Sequence, residues 1–209
     1  MYKLRIITGK WRNRKVTFYP SDSLKPTTDK VRETLFNWLS PLIAERRCLD
    51  LFAGSAILSF EALSRGAAHA TIVEKTKKNA YCIQENSINI GVDNSVIDIY
   101  NKDALQFLKT TPEQSFDLIF LDPPYQSTYI TQCCDLILHN NWLNTTTGLL
   151  YCESNKPITP PAGLIIYKQQ QAGNIYFYLL SPHQTFGHPL PQSGEGNANG
   201  EEQCEKRLC

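Results

Sequence analysis

The chain has 209 residues, 42% of them hydrophobic, and a formal net charge of +1 from 21 Lys and Arg against 20 Asp and Glu. That length allows one well-buried domain with a small extension, and the near-neutral balance by itself points to no polyanionic partner. No apolar run approaches membrane-spanning length, and "MYKLRIITGKWRNRK" turns polar too soon for a secretory signal, so the protein is expected to be cytosolic.

The distribution of charge is more informative than its sum. Residues 1–47 carry eleven Lys or Arg against four Asp or Glu, a balance of +7, while residues 48–209 carry ten against sixteen, a balance of −6. A basic front end is joined to a mildly acidic body. The seven cysteines are an odd number and lie outside C-x-x-C spacing, which indicates neither a disulfide framework nor a zinc site.

At the front, "LRIITGKWRNRKVTF" has two strand-like runs, Leu4 to Thr8 and Lys15 to Phe18, around a basic turn containing Gly9. This predicts a β-hairpin with Lys10, Arg12, Arg14 and Lys15 at or near an exposed tip. After the turn-like "YPSDS", the segment "KPTTDKVRETLFNWLS" predicts a helix capped by Thr28 or Asp29, with Val31, Leu35, Phe36 and Leu39 as its apolar stripe. From Arg46 onward short apolar runs, "RCLDLF", "ATIVE", "VIDIY", "FDLIFLD" and "GLLYCES", alternate with helix-like segments around 55–65, 76–90, 104–111 and 128–140. Strands buried on both faces and separated by helices predict an α/β fold, an open parallel sheet with helices on each side. The runs "LIIYKQQ" and "NIYFYLL" are separated by only a few residues, which predicts a hairpin and an antiparallel last strand. The expected division is residues 1–40 as a basic extension, 41–181 as the main domain, and 182–209, rich in Pro, Gly, Asn and Glu, as a disordered tail.

In such a sheet, ligands bind beyond the carboxyl ends of the strands. The first strand of the body ends at Asp50 and runs into Gly54, which permits close backbone approach, and Ser55, expected to open a helix whose amides face the site. Ala53 and Ala56 interrupt a G-x-G-x-x-G pattern, which disfavours an NAD reading. The second strand ends at Glu74, a carboxylate able to accept both ribose hydroxyls of a nucleoside. Asp103, after the third, can cap the helix that follows with one carboxylate oxygen and take an exocyclic amine with the other. The fourth runs into Asp122-Pro123-Pro124-Tyr125, a stiff extended loop because proline fixes the backbone and donates no hydrogen bond. There Asp122 and the Pro123 carbonyl can accept from one amino group while Tyr125 stacks on the ring that carries it.

These residues resemble a known family. "DPPY" after an apolar strand resembles the motif of S-adenosylmethionine-dependent amino methyltransferases, and "LDLFAGS" their first cofactor motif. Taken in order, "RIITGKWRNRK", "KPTTDKVRETLFNWL", "LDLFAGSAILSFEALSRGA" and "FLDPPY" resemble the RsmD-type 16S rRNA guanine-N2 methyltransferases over about residues 4–180. The resemblance implies a Rossmann-like methyltransferase fold, S-adenosylmethionine as cofactor, and methylation of the guanine numbered 966 in the usual rRNA convention, on 16S rRNA or a small-subunit particle, by a monomer. By position it assigns the methionine end to the loop of Asp50, Phe52, Ala53, Gly54 and Ser55, the ribose to Glu74, the adenine to Asp103, and the guanine to Asp122, Pro123, Pro124 and Tyr125. The family usually has Gly where this chain has Ala56, and Ser59 and Phe60 replace its usual "GLE" lead-in. A methyl group at Ala56 is expected to crowd the cofactor or shift its affinity.

Two other readings use the same residues. DNA adenine-N6 methylation employs the same tetrapeptide, but no segment is large enough for a separate duplex-reading domain. A non-catalytic RNA-binding assembly factor would follow if Ala56 had spoiled the cofactor site.

Overall fold

The computed structural model describes residues 1–19, 28–123 and 128–182. The expectations for "YPSDS" (beyond Tyr19), Pro124, Tyr125 and the tail from residue 183 lie outside them.

The hairpin consists of β1 (Tyr2–Arg5) and β2 (Lys15–Phe18), paired antiparallel from Tyr2↔Phe18 to Arg5↔Lys15. The first strand stops earlier than the apolar run predicts. The amides of Ile7 and Thr8 donate instead to the two oxygens of Glu61, at 2.7 and 3.0 Å, so a buried side chain takes the place of a strand partner. Helix α1 (Asp29–Leu39) is capped by Thr28, whose Oγ1 accepts from the Val31 amide, and buries the expected stripe. It also buries Arg32 completely, which the periodicity did not predict. The Arg32 guanidinium donates to the Arg5 carbonyl and to Asp29, and lies 4.0 Å from Glu61.

The body is a seven-stranded sheet of β3 (Arg47–Asp50), β4 (His69–Val73), β5 (Ile97–Tyr100), β6 (Leu118–Leu121), β7 (Leu149–Ser154), β8 (Leu164–Ala172) and β9 (Ile175–Pro182). Their order is β5-β4-β3-β6-β7-β9-β8. The first five pair in parallel, and β9 runs antiparallel to both β7 and β8. Gly173 at φ +59 opens the two-residue turn between β8 and β9, where a left-handed backbone is needed. Helices α2 (Ile57–Ser64), α3 (Lys77–Ile90), α4 (Ala104–Leu108) and α5 (Thr128–His139) complete the alternation.

Two apolar cores follow from the strand alternation. Cys48, Ile72, Phe120 and Tyr151 face α1, α2 and α3, whereas Leu49, Val73, Leu121 and Cys152 face α4 and α5. Ile6, Trp11 and Val16 from the hairpin segment belong to the first core, so the basic front end shares its packing with the sheet. The hairpin is further fastened to α3 by Asn86, which bonds the backbone of Thr17 in both directions, and by Asn79, which accepts from the Tyr19 amide.

Candidate active site

The strand order reverses between β3 and β6: the chain moves outward from β3 to β4 and β5, then crosses back to place β6 on the other side. A crevice forms outside the carboxyl ends of strands at such a point. Asp50 ends β3 in register with Phe120 of β6, and Asp122 follows two residues later on the same face. The structure therefore brings the first-motif acid and the "DPPY" acid to one edge.

The loop after β3 is folded on its own backbone and on β4. The Ala53 amide donates to the Val73 carbonyl and the Ala56 amide to the Ala53 carbonyl. Gly54, at φ +53, donates its amide to Glu74 Oε2 at 2.7 Å, while Glu74 Oε1 accepts from the Thr76 amide at 2.6 Å. Glu74 is thus fixed by two backbone donors and retains lone pairs for further donors, since an ionised carboxylate offers about four acceptor sites. Asp50 is buried and accepts from Ser59 Oγ at 2.8 Å. Burial, reinforced by the nearby Glu74 charge and opposed by the Ser59 bond, pushes Asp50 up to about 7. Among the described residues no cationic side chain pairs with Asp50 or Glu74. Two buried acids at adjacent strand ends suit a ligand bearing positive charge and vicinal hydroxyls.

Ser55 does not open the helix. Helix α2 starts at Ile57, behind Ala56 in the left-handed region at φ +57, and Ser55 Oγ accepts from the Ile57 amide. Ala56 is fully buried within the core facing α1–α3. Its methyl group packs in that core, and its left-handed backbone carries a strain that glycine would not.

Asp103 caps α4 as predicted: Oδ1 accepts from the Leu105 and Gln106 amides, and Oδ2 lies 3.2 Å from Lys75 Nζ. Its carboxyl is held below its ordinary range by the Lys75 bond and the two amides, which outweigh its desolvation. Phe52 packs edge-on against Tyr129 of α5, walling the opposite face of the loop. Asp122 is half-buried and Pro123 buried.

Lys10, Arg12, Arg14 and Lys15 are exposed, as expected for the turn. The turn docks on the far end of α2, where the Lys10 amide donates to the Ser64 carbonyl and the Trp11 amide to Ser64 Oγ. Helix α2 has eight residues, so these cations stand one helix length, about 12 Å, from the Ala56 end. Nearer the crevice are Lys75, Lys77, Lys78 and Lys102, all exposed. The run "EKTKK" directly after a strand-end acid was the signal that could have found the first three. Sequence reading also missed Tyr151 and Glu153. The Tyr151 hydroxyl donates to Glu153 Oε1 at 2.6 Å, both residues are buried, and burial together with the Glu153 and Asp122 charges pushes the phenol well above its ordinary range.

Residues 4–181 match the family described as "Conserved hypothetical protein 95". The curated Haemophilus influenzae protein named ribosomal RNA small subunit methyltransferase D is 39% identical over 180 residues, spanning 85% of this chain and 93% of that one. The protein of the same name from Escherichia coli K12 is 39% identical over 182 residues, spanning 85% and 89%. The solved structure of Escherichia coli yhhF superposes with a TM-score of 0.77 at 37% identity, covering 87% of this chain and 98% of the other. The chain belongs to the ribosomal RNA small subunit methyltransferase D family. In this family member Gly54, Glu74, Asp103 and Asp122 each follow the carboxyl end of one of the parallel strands β3, β4, β5 and β6.

Proposed function

We propose that the protein transfers the methyl group of S-adenosylmethionine to the exocyclic N2 amino group of a guanine in 16S rRNA, the guanine numbered 966 in the usual convention. The observation that carries the reading is the register of β3 and β6, which sets Asp122 beside the Asp50–Glu74 acids at the point where the strand order reverses.

The residues fit the cofactor. Its ammonium and sulfonium charges match Asp50 and Glu74, which have no cationic partner among the described residues, and its ribose diol suits a Glu74 already aimed by the Gly54 and Thr76 amides. Gly54 brings the backbone close to the methionine end, Phe52, Ala53 and Ser55 form the rest of that loop, and Asp103 offers Oδ2 to the adenine amine when Lys75, 75% exposed, turns aside. When bound, the cofactor supplies an activated methyl group.

The protein's share is alignment and charge. Guanine N2 is a weak nucleophile because its lone pair is delocalised into the ring. Hydrogen bonds from N2 to Asp122 and to the Pro123 carbonyl favour a pyramidal nitrogen and disperse the positive charge that grows on attack. The N–C bond forms as the C–S bond breaks, sulfur keeps the electron pair, and the amino proton leaves to Asp122 or water. By the resemblance Pro124 and Tyr125 belong to the same base-holding motif, with Tyr125 stacking on the ring, which requires the base to leave its own stack.

Lys10, Arg12, Arg14 and Lys15 hold RNA phosphates at the far end of α2, with residues 1–40 as the RNA-holding extension and 41–181 as the transfer unit. The protein acts in the cytoplasm as a monomer on rRNA or a small-subunit particle; no helix among the described residues is long and apolar enough to cross a membrane. Transfer of labelled methyl to small-subunit particles from cells lacking the protein, followed by nucleoside analysis, tests the reading. N2-methylguanosine supports it, and N6-methyladenosine or no transfer overturns it.

A further inference from the structure

The flank of the crevice formed by β4 and β5 is basic and carries exposed rings, and the transfer chemistry uses neither. Lys75, Lys77 and Lys78 follow β4, and Lys102 follows β5. Asn101 ties the two loops into one surface, its Nδ2 donating to the Glu74 and Lys75 carbonyls at 2.8 and 2.9 Å. Lys75 faces Asp103, but among the described residues no carboxylate pairs with Lys77, Lys78 or Lys102. Like charges on one rim without a countercharge favour an anionic partner.

The rings narrow the kind of anion. Tyr19 directly follows β2, and Asn79, a buried residue of α3, accepts from its amide at 3.1 Å. That bond sets Tyr19 beside α3, where Lys78 Nζ lies 3.6 Å from the centre of its ring. Tyr81 is 66% exposed and comes four residues after Lys77 and three after Lys78, so the three share one face of α3. On the other loop Lys102 Nζ lies 5.9 Å from the ring of Tyr100, which is also exposed. Ammonium groups interleaved with exposed rings suit a single-stranded nucleic acid, whose phosphates take the charges while its unpaired bases stack. A paired duplex would meet the lysines and leave the rings in water.

The location fits the strand that carries the target. Both β4 and β6 neighbour β3, so this flank begins about 10 Å from the strand that presents Asp122. It is also continuous with the basic front end, since Lys15 opens β2 and Tyr19 follows its end.

We propose that this flank is a second RNA-binding surface that takes the unpaired nucleotides beside the target base. Lys77, Lys78 and Lys102 hold phosphates, Tyr81 is a stacking platform, and Tyr19 positions Lys78. This rests on the rRNA reading above and adds the course of the flanking strand. Stacking on Tyr81 releases no counterions whereas phosphate pairing does, so the two contributions separate by their response to salt.

The test measures binding of the full chain to two probes at several salt concentrations. One is a small-subunit rRNA stem-loop with the target guanine and its neighbours unpaired; the other is a fully paired duplex of the same nucleotides. The double variant Lys77→Gln, Lys78→Gln is expected to bind the loop more weakly and to flatten the slope of log affinity against log salt by about one to two. Tyr81→Ala is expected to lower loop affinity at least about fivefold with the slope unchanged, and duplex affinity less than about twofold; Tyr81→Trp should retain loop affinity. All three positions are exposed, so an unchanged melting midpoint is expected for each variant. A Tyr81→Ala protein that binds the loop like wild type, or loses equally on loop and duplex, overturns the proposal, as does an unchanged slope in the lysine variant. Wild type that binds neither RNA sinks the rRNA reading and this surface with it. Binding with these signatures but no methyl transfer sinks the transfer reading alone.

Discussion

Ser59 Oγ, in the first turn of α2, donates to Asp50 Oδ2 at the end of β3 across 2.8 Å, within a buried site. The hydroxyl gives the buried acid a donor from within its own strand–loop–helix unit. Burial still dominates and raises Asp50 from 3.8 to about 7. The folded state consequently binds more protons than the unfolded one between those values. Stability from this group is complete below the ordinary carboxylate range and is lost as pH rises through about 7. Asp50→Asn should be more stable than wild type at pH 8, with the advantage shrinking toward pH 4 and a ceiling on the order of 4 kcal/mol. Ser59→Ala should raise the Asp50 value further. Denaturant melts across that pH range check both, and parallel curves for wild type and Asp50→Asn would show that Asp50 does not titrate there.

Ala56 sets two small terms against each other. A non-glycine residue in the left-handed region costs roughly 1–2 kcal/mol, which Gly would recover. Removing the buried methyl loses about 0.8 kcal/mol, and Gly adds backbone entropy to the unfolded chain. Ala56→Gly should therefore shift stability by less than about 1 kcal/mol and leave cofactor affinity within about twofold, because the methyl is in the core. A large gain in affinity on calorimetric titration would place the methyl against the cofactor instead.

Asp122 follows β6, whose Phe120 pairs with Asp50 of β3, and the proposed mechanism gives it to the base rather than to the cofactor. Asp122→Ala should lower methyl transfer by at least about 100-fold while the cofactor dissociation constant changes less than about threefold. Loss of both together would assign Asp122 to the cofactor.

How far the sequence carried the reading depended on the range of the interaction. The parallel strands, the final hairpin and the Asp103 and Thr28 caps were legible because alternation, turn residues and capping are local. So were Asp50, Glu74 and Asp122, because the ends of apolar runs are visible and the sheet rule assigns them to one edge. Arg32 and Glu61 were not legible. Both are charged residues in helices, and their burial depends on partners 27 and 54 residues distant in the chain, the Arg5 carbonyl and the Ile7 amide. Glu153 was hidden in the same way: within "YCES" it reads as a strand-end acid, and only the β6–β7 register makes it a neighbour of Asp122.

Glu61 holds the front end to the body. It is fully buried, accepts from two hairpin-loop amides, and pairs with Arg65 at 2.6 Å. Removing it leaves the Ile7 and Thr8 amides and the Arg65 guanidinium without this acceptor and takes a buried countercharge from beside Arg32, a change expected to cost about 3–5 kcal/mol. Glu61→Ala should unfold at markedly lower denaturant, and hydrogen exchange should quicken first at Ile7 and Thr8. Glu61→Gln, which keeps acceptor capacity, should fall between. Unchanged exchange at those amides would show that the hairpin is held by its apolar contacts alone.

The docked hairpin also fixes what its cations can do. Arg12 and Arg14 are carried by a turn bonded to Ser64, so under the proposed function they would meet RNA only where its strand lies along α2 from the crevice to its far end. Phosphate contacts there add affinity without choosing the base. Replacing both by Ala should weaken binding to small-subunit rRNA and flatten the slope of log affinity against log salt by about one to two, while the rate on saturating substrate stays within about threefold. An unchanged slope would take the hairpin out of the interface and leave the grip to the lysines beside the crevice, Lys75, Lys77, Lys78 and Lys102. Charge reversal at those positions would then be expected to abolish the salt dependence that the hairpin variant left intact.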